Sequence, residues 1–296
     1  MARRRNALMF ALLHTGSGRE GFLSRMARPV RPTIEYWFGL DCHVYAMAIA
    51  SNVLFGFFPF MVLMLWLSQN FLGWSGAERA IYVGLRSFLP KDPGLVDFVE
   101  RNLRAAVESR GHEAAFVSVI LLLFASNGIF MPMEVALNRL WGFEANRPYW
   151  KNQLISLSLT FMSGVLTLSA ALWASSQTEH FERLLGGMLA VQDAAVLVAL
   201  KLAEVPFVAV IFLMVYWVLP NGPVPFKRAA ITAIIVAILV ELGQLAYSWA
   251  WPWLDLRSEY GPFFISVTLV LWGFFAAMIV LAAGEAYARG ARQKQL

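Results

Sequence analysis

Charged side chains are scarce in this sequence, and their scarcity is the first constraint on the fold class. Asp, Glu, Lys and Arg make up 15% of the 296 residues, whereas an ordinary soluble domain contains about 25%. Hydrophobic residues reach 59%. This composition argues against a soluble globular chain and indicates an integral membrane protein.

Cysteine and histidine are also rare, which limits the chemistry that the chain can perform. The single cysteine, Cys42, cannot build a disulfide framework. The four histidines are scattered without metal-ligand spacing. Phosphate-binding glycine loops, nucleophile elbows and Cys-Xaa-Xaa-Cys motifs do not occur in the sequence. We therefore expect no metal, no cofactor and no enzymatic activity.

Six long apolar runs dominate what is present. A helix needs about 20 apolar residues to cross a hydrocarbon core about 30 Å thick, and the runs reach or approach this length. Backbone N–H and C=O groups in lipid must be bonded within the protein, so such runs form helices. The runs are residues 44–71, 114–131, 154–174, 197–219, 229–251 and 263–287. The sequence thus predicts an all-α bundle of six transmembrane helices.

The positive charge between the runs predicts the orientation of the bundle. With both termini in the cytoplasm, 15 Lys and Arg residues of the connecting segments lie inside and eight lie outside, in agreement with the positive-inside rule. The predicted organisation is an amphipathic N-terminal segment (1–43), a transmembrane domain (44–287) and a basic cytoplasmic tail (288–296). The basic excess is expected to attract anionic lipids and not nucleic acid.

Segments outside the runs carry patterns that suit the membrane surface. Trp and Tyr residues flank several runs, as in an interfacial aromatic belt. A short interfacial helix is predicted to start after Thr33 as its N-terminal cap. The external insert at 72–113 is predicted to form two amphipathic helices, the second starting at Pro93 and ending at Gly111. The alternative for the insert is a solvated hairpin.

An acid in the fifth run is the first candidate functional residue. A charged side chain near the bilayer centre costs roughly 2.5–3.5 kcal/mol on insertion scales. Glu241 lies near the centre of the run, and Gln244 follows three residues later on the same helix face. We interpret these residues as part of a polar pathway or as an ion-coupling group. The alternative is a structural acid hydrogen-bonded to another helix.

Polar residues and prolines in other runs extend this candidate pathway. Lys201 and Glu204 are three residues apart in the fourth run and can pair on one face. Asn52 places an amide in the first run. Pro59 and Pro206 are expected to kink their helices.

The third run carries a stripe of small hydroxyl side chains. Its members recur at steps of four, three and four, so they share one helix face. They are Ser156, Thr160, Ser163 and Thr167. Such a stripe favours close helix packing.

The segment after the second run gives a separate hypothesis. Glu134, Asn138 and Arg147 lie in a predicted loop at 132–153. Glu285 lies in the last turn of the sixth run, near the predicted cytoplasmic face. These four residues are predicted to form a polar latch that closes the inner mouth of the bundle. The alternative is a re-entrant or interfacial helix with solvated charges.

The same segment and three other places together resemble a known family. The matching stretches are Leu137-Asn138, Trp141-Gly142, Arg147-Pro148-Tyr149-Trp150-Lys151, Phe58-Pro59, Leu219-Pro220-Asn221 and Gly284-Glu285. Over about residues 33–288 the sequence resembles the YihY/BrkB family of bacterial inner-membrane proteins. The resemblance implies six helices, cytoplasmic termini and an ill-defined function for which transport has been suggested. The ribonuclease label once given to some members finds no support, because the sequence shows no metal-ligand cluster.

Taken together, the sequence predicts a multi-pass protein of the bacterial inner membrane that moves a solute, ion or lipid through a polar bundle interior. The alternative is a non-transport envelope or scaffold protein whose polar groups only hold helices together. The expected partners are the bilayer, with anionic lipids at the basic N-terminus, and an unidentified small solute, ion or lipid. Association into a homo-oligomer is left open.

Overall fold

A computed structural model describes residues 31–72, 93–144, 147–185 and 194–292, together with residues 78, 81, 82 and 85. The described chain is all-helical and contains no strand in these ranges, as the apolar runs predict. Most of the predicted N-terminal segment and the last four residues lie outside the described part.

The described helices are numbered here in chain order. They are α1 (Arg31–Trp37), α2 (Leu40–Leu67), α3 (Pro93–Trp141), α4 (Tyr149–Leu185), α5 (Ala194–Val218), α6 (Phe226–Leu254), α7 (Leu256–Tyr260) and α8 (Phe264–Arg292). A wider π-helical turn at Ser68–Leu72 extends α2, and a 3₁₀ turn at Gly261–Phe263 joins α7 to α8.

Five stretches of the described chain are long and apolar enough to cross a membrane. They are Leu40–Asn70, Gly111–Trp141, Tyr149–Ala170, Phe226–Leu254 and Phe264–Gly290. The described side chains of α5 include a shorter apolar stretch at Glu204–Val218. Five of the six predicted spans are therefore found as apolar helices of spanning length, whereas the fourth span (197–219) and the orientation of the termini stay predictions.

The largest difference from the sequence prediction lies in α3. The sequence predicts that the second run ends at residue 131 and that a loop covers 132–153, whereas α3 continues through Pro132 to Trp141. This prediction is wrong because proline removes only one backbone donor, and a packed transmembrane helix tolerates that loss. Gly111, with φ of 41° and ψ of −110°, breaks the helix where the predicted amphipathic helix ends.

The first part of α3 packs on the bundle with the face that the sequence predicts to be apolar. Val99 and Leu103, four residues apart, are buried and share one helix face. They join Leu65 of α2 and Leu269 of α8 in one core. Leu85, one of the four described residues between Leu72 and Pro93, is buried in the same core.

The long helices pack as a ring in the order of the chain. Each helix from α2 to α5 packs against the next, α6 packs against α8, and α8 closes the ring against α2. Helix α3 also contacts α8 across the ring, and α1 lies against α8. The end at which α2, α4 and α6 begin is called the inner end, because the charge bias predicts that it faces the cytoplasm. The opposite end is called the outer end.

Exposed tryptophans lie at both ends of the ring. Trp150 and Trp217 at the inner end and Trp249 and Trp253 at the outer end are each more than half exposed. Indole rings favour the boundary between hydrocarbon and water. The positions of these four residues therefore fit the predicted aromatic belt.

Candidate functional site

Arg147 binds the end of α5 at the inner end of the ring. Its Nη2 donates to the carbonyl oxygens of Val218 at 3.1 Å and Pro220 at 2.8 Å, and its Nη1 donates to that of Leu219 at 3.3 Å. The last carbonyls of a helix have no donor within the helix, and the forked guanidinium can supply several donors at once. Arg147 therefore caps α5 from a segment that precedes it by about 70 residues.

Asn138 holds the same turn from the other side. It lies near the end of α3, is 6% exposed, and its Oδ1 accepts a hydrogen bond from the backbone N–H of Asn221 at 2.8 Å. Asn138, Arg147 and the turn at 218–221 are called the inner clamp below. The clamp fixes the connection between α5 and α6 against the end of α3.

An aromatic cluster packs beside the inner clamp. The ring of Trp141 stacks on that of Phe143 at 5.9 Å and meets the edge of Tyr287 at 4.8 Å, centroid to centroid. The Tyr287 hydroxyl donates to the carbonyl oxygen of Pro225 at 3.1 Å. A Cβ at Gly222 would lie 2.5 Å from the Phe143 ring, so a larger residue there would require the ring to shift.

One layer deeper into the bundle, helices α3, α5 and α8 contact one another. Tyr216 of α5 is fully buried, and its hydroxyl donates to the carbonyl oxygen of Val280 in α8 at 2.6 Å. A Cβ at Gly284 of α8 would lie 2.8 Å from a methyl group of Leu137 in α3. Small and aromatic residues thus bring the three helices into direct contact in the inner half of the ring.

Glu285 belongs to a different cluster from Arg147. Its Oε1 pairs with Nε of Arg289 at 3.2 Å, and its Oε2 accepts a hydrogen bond from the Thr33 hydroxyl at 2.6 Å. Arg289 Nη2 also donates to the Thr33 hydroxyl at 2.7 Å. Thr33, Glu285 and Arg289 are called the α1 anchor, because they join α1 to α8.

The α1 anchor changes two of the sequence predictions. Arg147 donates to backbone carbonyls and Glu285 binds Arg289, so the structure does not bring Arg147 and Glu285 together as a pair. Thr33 lies inside α1 and not before it, so it is not the predicted helix cap. Next to the anchor, burial raises the pKa of the Tyr36 hydroxyl.

Glu134 completes the set of predicted latch residues. It lies within α3, one turn before Asn138, and is 5% exposed. It is therefore a buried helical residue and not a residue of a solvated loop. The four predicted latch residues divide into the inner clamp, the α1 anchor and this buried acid.

Glu241 continues a buried stripe along α6. Ala229, Ala233 and Ala237 precede it at steps of four and are at most 1% exposed. Glu241 itself is 7% exposed, and Gln244, on the same face, is half-buried. The structure thus places the acid where the sequence predicts, inside the bundle and near the middle of a span.

The other predicted pathway residues lie on α2 and α5. Asn52 donates to the carbonyl oxygen of Ala48 at 2.8 Å, and its side chain lies against Gly128 of α3, where a Cβ would overlap it. Glu204 of α5 is half-buried. The side chain of Lys201 lies outside the described part.

Helices α2 and α5 continue through the two prolines that are predicted to kink them. Pro59 is buried inside α2, and Pro206 is exposed on α5. The two prolines lie on different helices of the ring, and neither ends its helix.

A cavity of about 210 Å³ lies between α2, α3 and α4. Its lining is mostly apolar and includes three hydroxyl side chains. The lining residues are Val53, Gly56, Phe57, Phe60, Leu122, Ala125, Ser126, Ile129, Phe130, Thr160 and Ser163. The sequence does not predict this cavity, although Thr160 and Ser163 belong to the predicted stripe. Glu241 is not part of its wall.

Comparison with known proteins places these features in a family. A family model described as Virulence factor BrkB matches residues 37–295. Over 253 residues, the chain is 24% identical to a UPF0761 membrane protein of Acinetobacter baylyi, covering 82% of this chain and 57% of that protein.

Two other UPF0761 membrane proteins show a similar relationship. The relative from Alcanivorax borkumensis is 23% identical over 256 residues, which is 82% of this chain and 56% of the relative. The relative from Chromohalobacter salexigens is 22% identical over 274 residues, which is 89% and 63% of the two chains. The chain thus spans somewhat more than half the length of these curated relatives. No solved structure matches it.

Proposed function

This chain belongs to the BrkB family, and we propose that it is a multi-pass protein of the bacterial inner membrane that moves a solute, ion or lipid through the interior of its helical ring. The observation that carries the proposal is the burial of Glu241 in the middle of α6. An ionisable side chain at this depth is expensive, and it typically marks a substrate or ion pathway.

The position of Glu241 on α6 supports this proposal over a purely structural acid. The alanines that precede it on the same stripe allow close helix packing without any polar group. A stripe that needed only to pack would be served by another small residue at position 241. The carboxyl group therefore adds a capacity to bind a cation or a proton that packing does not require.

The inner clamp supports a transporter whose pathway is shut at one end. Arg147 and Asn138 fix the turn at 218–221, and Tyr216 closes the layer above it. Alternating access requires a barrier on one side of a central site. In the proposal, the inner clamp is that barrier, and Glu241 lies on the other side of it.

A scaffold protein is the second candidate function, and the inner end favours it. Side chains there bind the backbone of other elements and fill the ring, which a protein that only holds an assembly together also needs. In a scaffold, the hydrogen bonds of Glu241 would serve only to hold helices together. The two functions differ in whether Glu241 matters for flux.

Lipids are the membrane partners in the proposal. Arg139, Lys151 and Lys227 are exposed at the inner end, and Lys151 lies over the ring of Trp150 at 5.5 Å. Each basic residue near an anionic membrane surface contributes about 1 kcal/mol of attraction. Anionic lipids are therefore expected to gather at this end.

The test is flux through the purified full chain in proteoliposomes. A panel of ions, amino acids, sugars and fluorescent phospholipids is offered to the wild type, to Glu241→Gln and to Glu259→Gln, which removes an exposed acid from α7. The proposal expects at least one compound to be moved by the wild type and by Glu259→Gln, with a loss of about tenfold or more in Glu241→Gln. Flux that survives unchanged in Glu241→Gln contradicts the role of this acid, and a wild type that moves nothing favours the scaffold.

A further inference from the structure

We propose that the cavity between α2, α3 and α4 is a binding site for an acyl chain of a membrane lipid. The site is separate from Glu241, and binding there would hold whether or not the chain transports anything. It therefore goes beyond the proposed function.

The depth of the cavity identifies the molecules that can reach it. Gly56, Ser126 and Thr160 of its wall lie near the middle of their spans, where the bilayer consists of hydrocarbon. Next to the wall, Phe124 of α3 and Met162 of α4 are 73% and 49% exposed. Their side chains face outward among lipid tails, so acyl chains surround this part of the ring.

The polar groups of the wall are largely occupied by their own helices. The Thr160 hydroxyl donates to the carbonyl oxygen of Ser156 at 2.9 Å, and the Ser126 hydroxyl donates to that of Leu123 at 3.3 Å. A buried water needs two to four polar partners. The wall therefore favours an apolar occupant over a cluster of waters.

The size of the cavity fits part of a molecule. Sites for drug-sized ligands have volumes of about 300–1,000 Å³, and this cavity measures about 210 Å³. A segment of an acyl chain has a shape and chemistry that suit such a space, while the rest of the lipid stays in the bilayer. An empty space of this kind would leave its apolar lining without dispersion contacts.

Close helix contacts keep the cavity from collapsing. A Cβ at Gly56 of α2 would lie 3.0 Å from Cβ of Ala125 in α3. A Cβ at Gly164 of α4 would lie 2.8 Å from the Phe60 ring of α2. The three helices already touch on these lines, so the remaining space cannot be removed by moving them closer together.

Photolabelling of the full chain in proteoliposomes tests the site. The probe is a phosphatidylcholine with a diazirine halfway along one acyl chain, and labelled peptides are mapped by mass spectrometry. Ser163→Phe fills the cavity from α4. Thr167→Phe is the matched control, because Thr167 belongs to the same stripe but is exposed and absent from the wall.

In the wild type and in Thr167→Phe we expect label on the wall residues of α2 and α3. In Ser163→Phe this label should fall by about tenfold, the effect of displacing roughly two buried methylene groups, while label on exposed Phe124 is unchanged. Equal labelling of the wall in all three proteins, or label on outward faces alone, overturns the proposal. Thr160→Phe fills the same space and gives the same comparison if Ser163→Phe does not fold.

Discussion

The inner end and the middle of the bundle use polar side chains in opposite ways. At the inner end, Arg147, Asn138 and Tyr216 each bind the backbone of another helix or of the turn that follows it. In the middle, Asn52 and Thr160 bind the carbonyl oxygen four residues earlier in their own helix. The inner end is therefore tied together across the ring, whereas Asn52 and Thr160 in the middle are satisfied within their own helices.

This difference has a mechanical consequence. A helix whose polar groups are satisfied locally can shift against its neighbours without exposing an unpaired group to lipid. One bond does cross at the level of the cavity, from Gln153 of α4 to the carbonyl oxygen of Leu123 in α3 at 2.8 Å. We expect the inner end to be the rigid part of the bundle, so substitutions there should cost more stability than substitutions in the middle.

Arg147→Ala should have the largest effect. It removes three hydrogen bonds of a charged donor from the carbonyls of Val218, Leu219 and Pro220, so the free energy of unfolding should fall by about 3 kcal/mol. Thermal unfolding in detergent measures the change. Lys151→Ala, which removes an exposed cation from the start of α4, is the control. If the two variants unfold alike, the inner clamp does not stabilise the ring.

Asn138→Ala should come next, and Asn52→Ala is its matched comparison. Loss of Asn138 leaves the backbone N–H of Asn221 without its acceptor, at a cost of about 1–3 kcal/mol. Loss of Asn52 removes only a bond to a carbonyl of its own helix, so less than about 1 kcal/mol is expected. The same unfolding measurement serves both variants. A larger cost for Asn52→Ala would reverse the contrast between the two regions.

Glu285→Gln should have a smaller effect that is confined to α1. The change removes the negative charge between Arg289 and Thr33 in a largely buried pair. Because Gln keeps the oxygen that accepts from the Thr33 hydroxyl, we expect a loss of about 1 kcal/mol. Hydrogen exchange over residues 31–37 should become faster, while exchange at the inner clamp stays the same. Unchanged exchange in α1 would show that the α1 anchor does not hold this helix on α8.

Thr160→Val should have the smallest effect of the series. The hydroxyl binds only the carbonyl oxygen of Ser156, which the helix already pairs, and the branched shape of the side chain is kept. Unfolding should change by no more than about 0.5 kcal/mol. A loss above about 1 kcal/mol would mean that the stripe on α4 carries bonds between helices, as at the inner end.

The parts of the fold that depend on composition were predictable. Runs of apolar residues predict helices in lipid because no other structure satisfies the backbone there, and five of the six appear as spanning helices. The end of α3 is mispredicted because a proline inside an apolar run usually ends or kinks a helix, whereas α3 continues through Pro132. Met133, Ala136 and Leu137 follow at helical spacing and are buried, so the signal for a longer helix was present.

The partners of the polar residues were harder to predict. The predicted pair of Arg147 and Glu285 assumes that a buried arginine binds a carboxylate. The partners of Arg147 are instead backbone carbonyls at the end of a helix distant in the sequence. Every residue carries a backbone carbonyl, so residue type does not show which carbonyl accepts a hydrogen bond. The cavity was also beyond sequence reasoning, because it is the space left by three helices and belongs to none of them.

The accessibility of the α6 interior to water tests the proposed pathway most directly. In a Cys42→Ala background, Gln244→Cys and Leu242→Cys place a thiol on the stripe of Glu241 and on the exposed, lipid-facing side of α6. A hydrophilic maleimide reacts with hydrated thiolates. In sealed vesicles of known orientation, the pathway requires Gln244→Cys to react from one side about tenfold faster than Leu242→Cys. If neither thiol reacts from either side, the ring interior is dry and the transport proposal is contradicted.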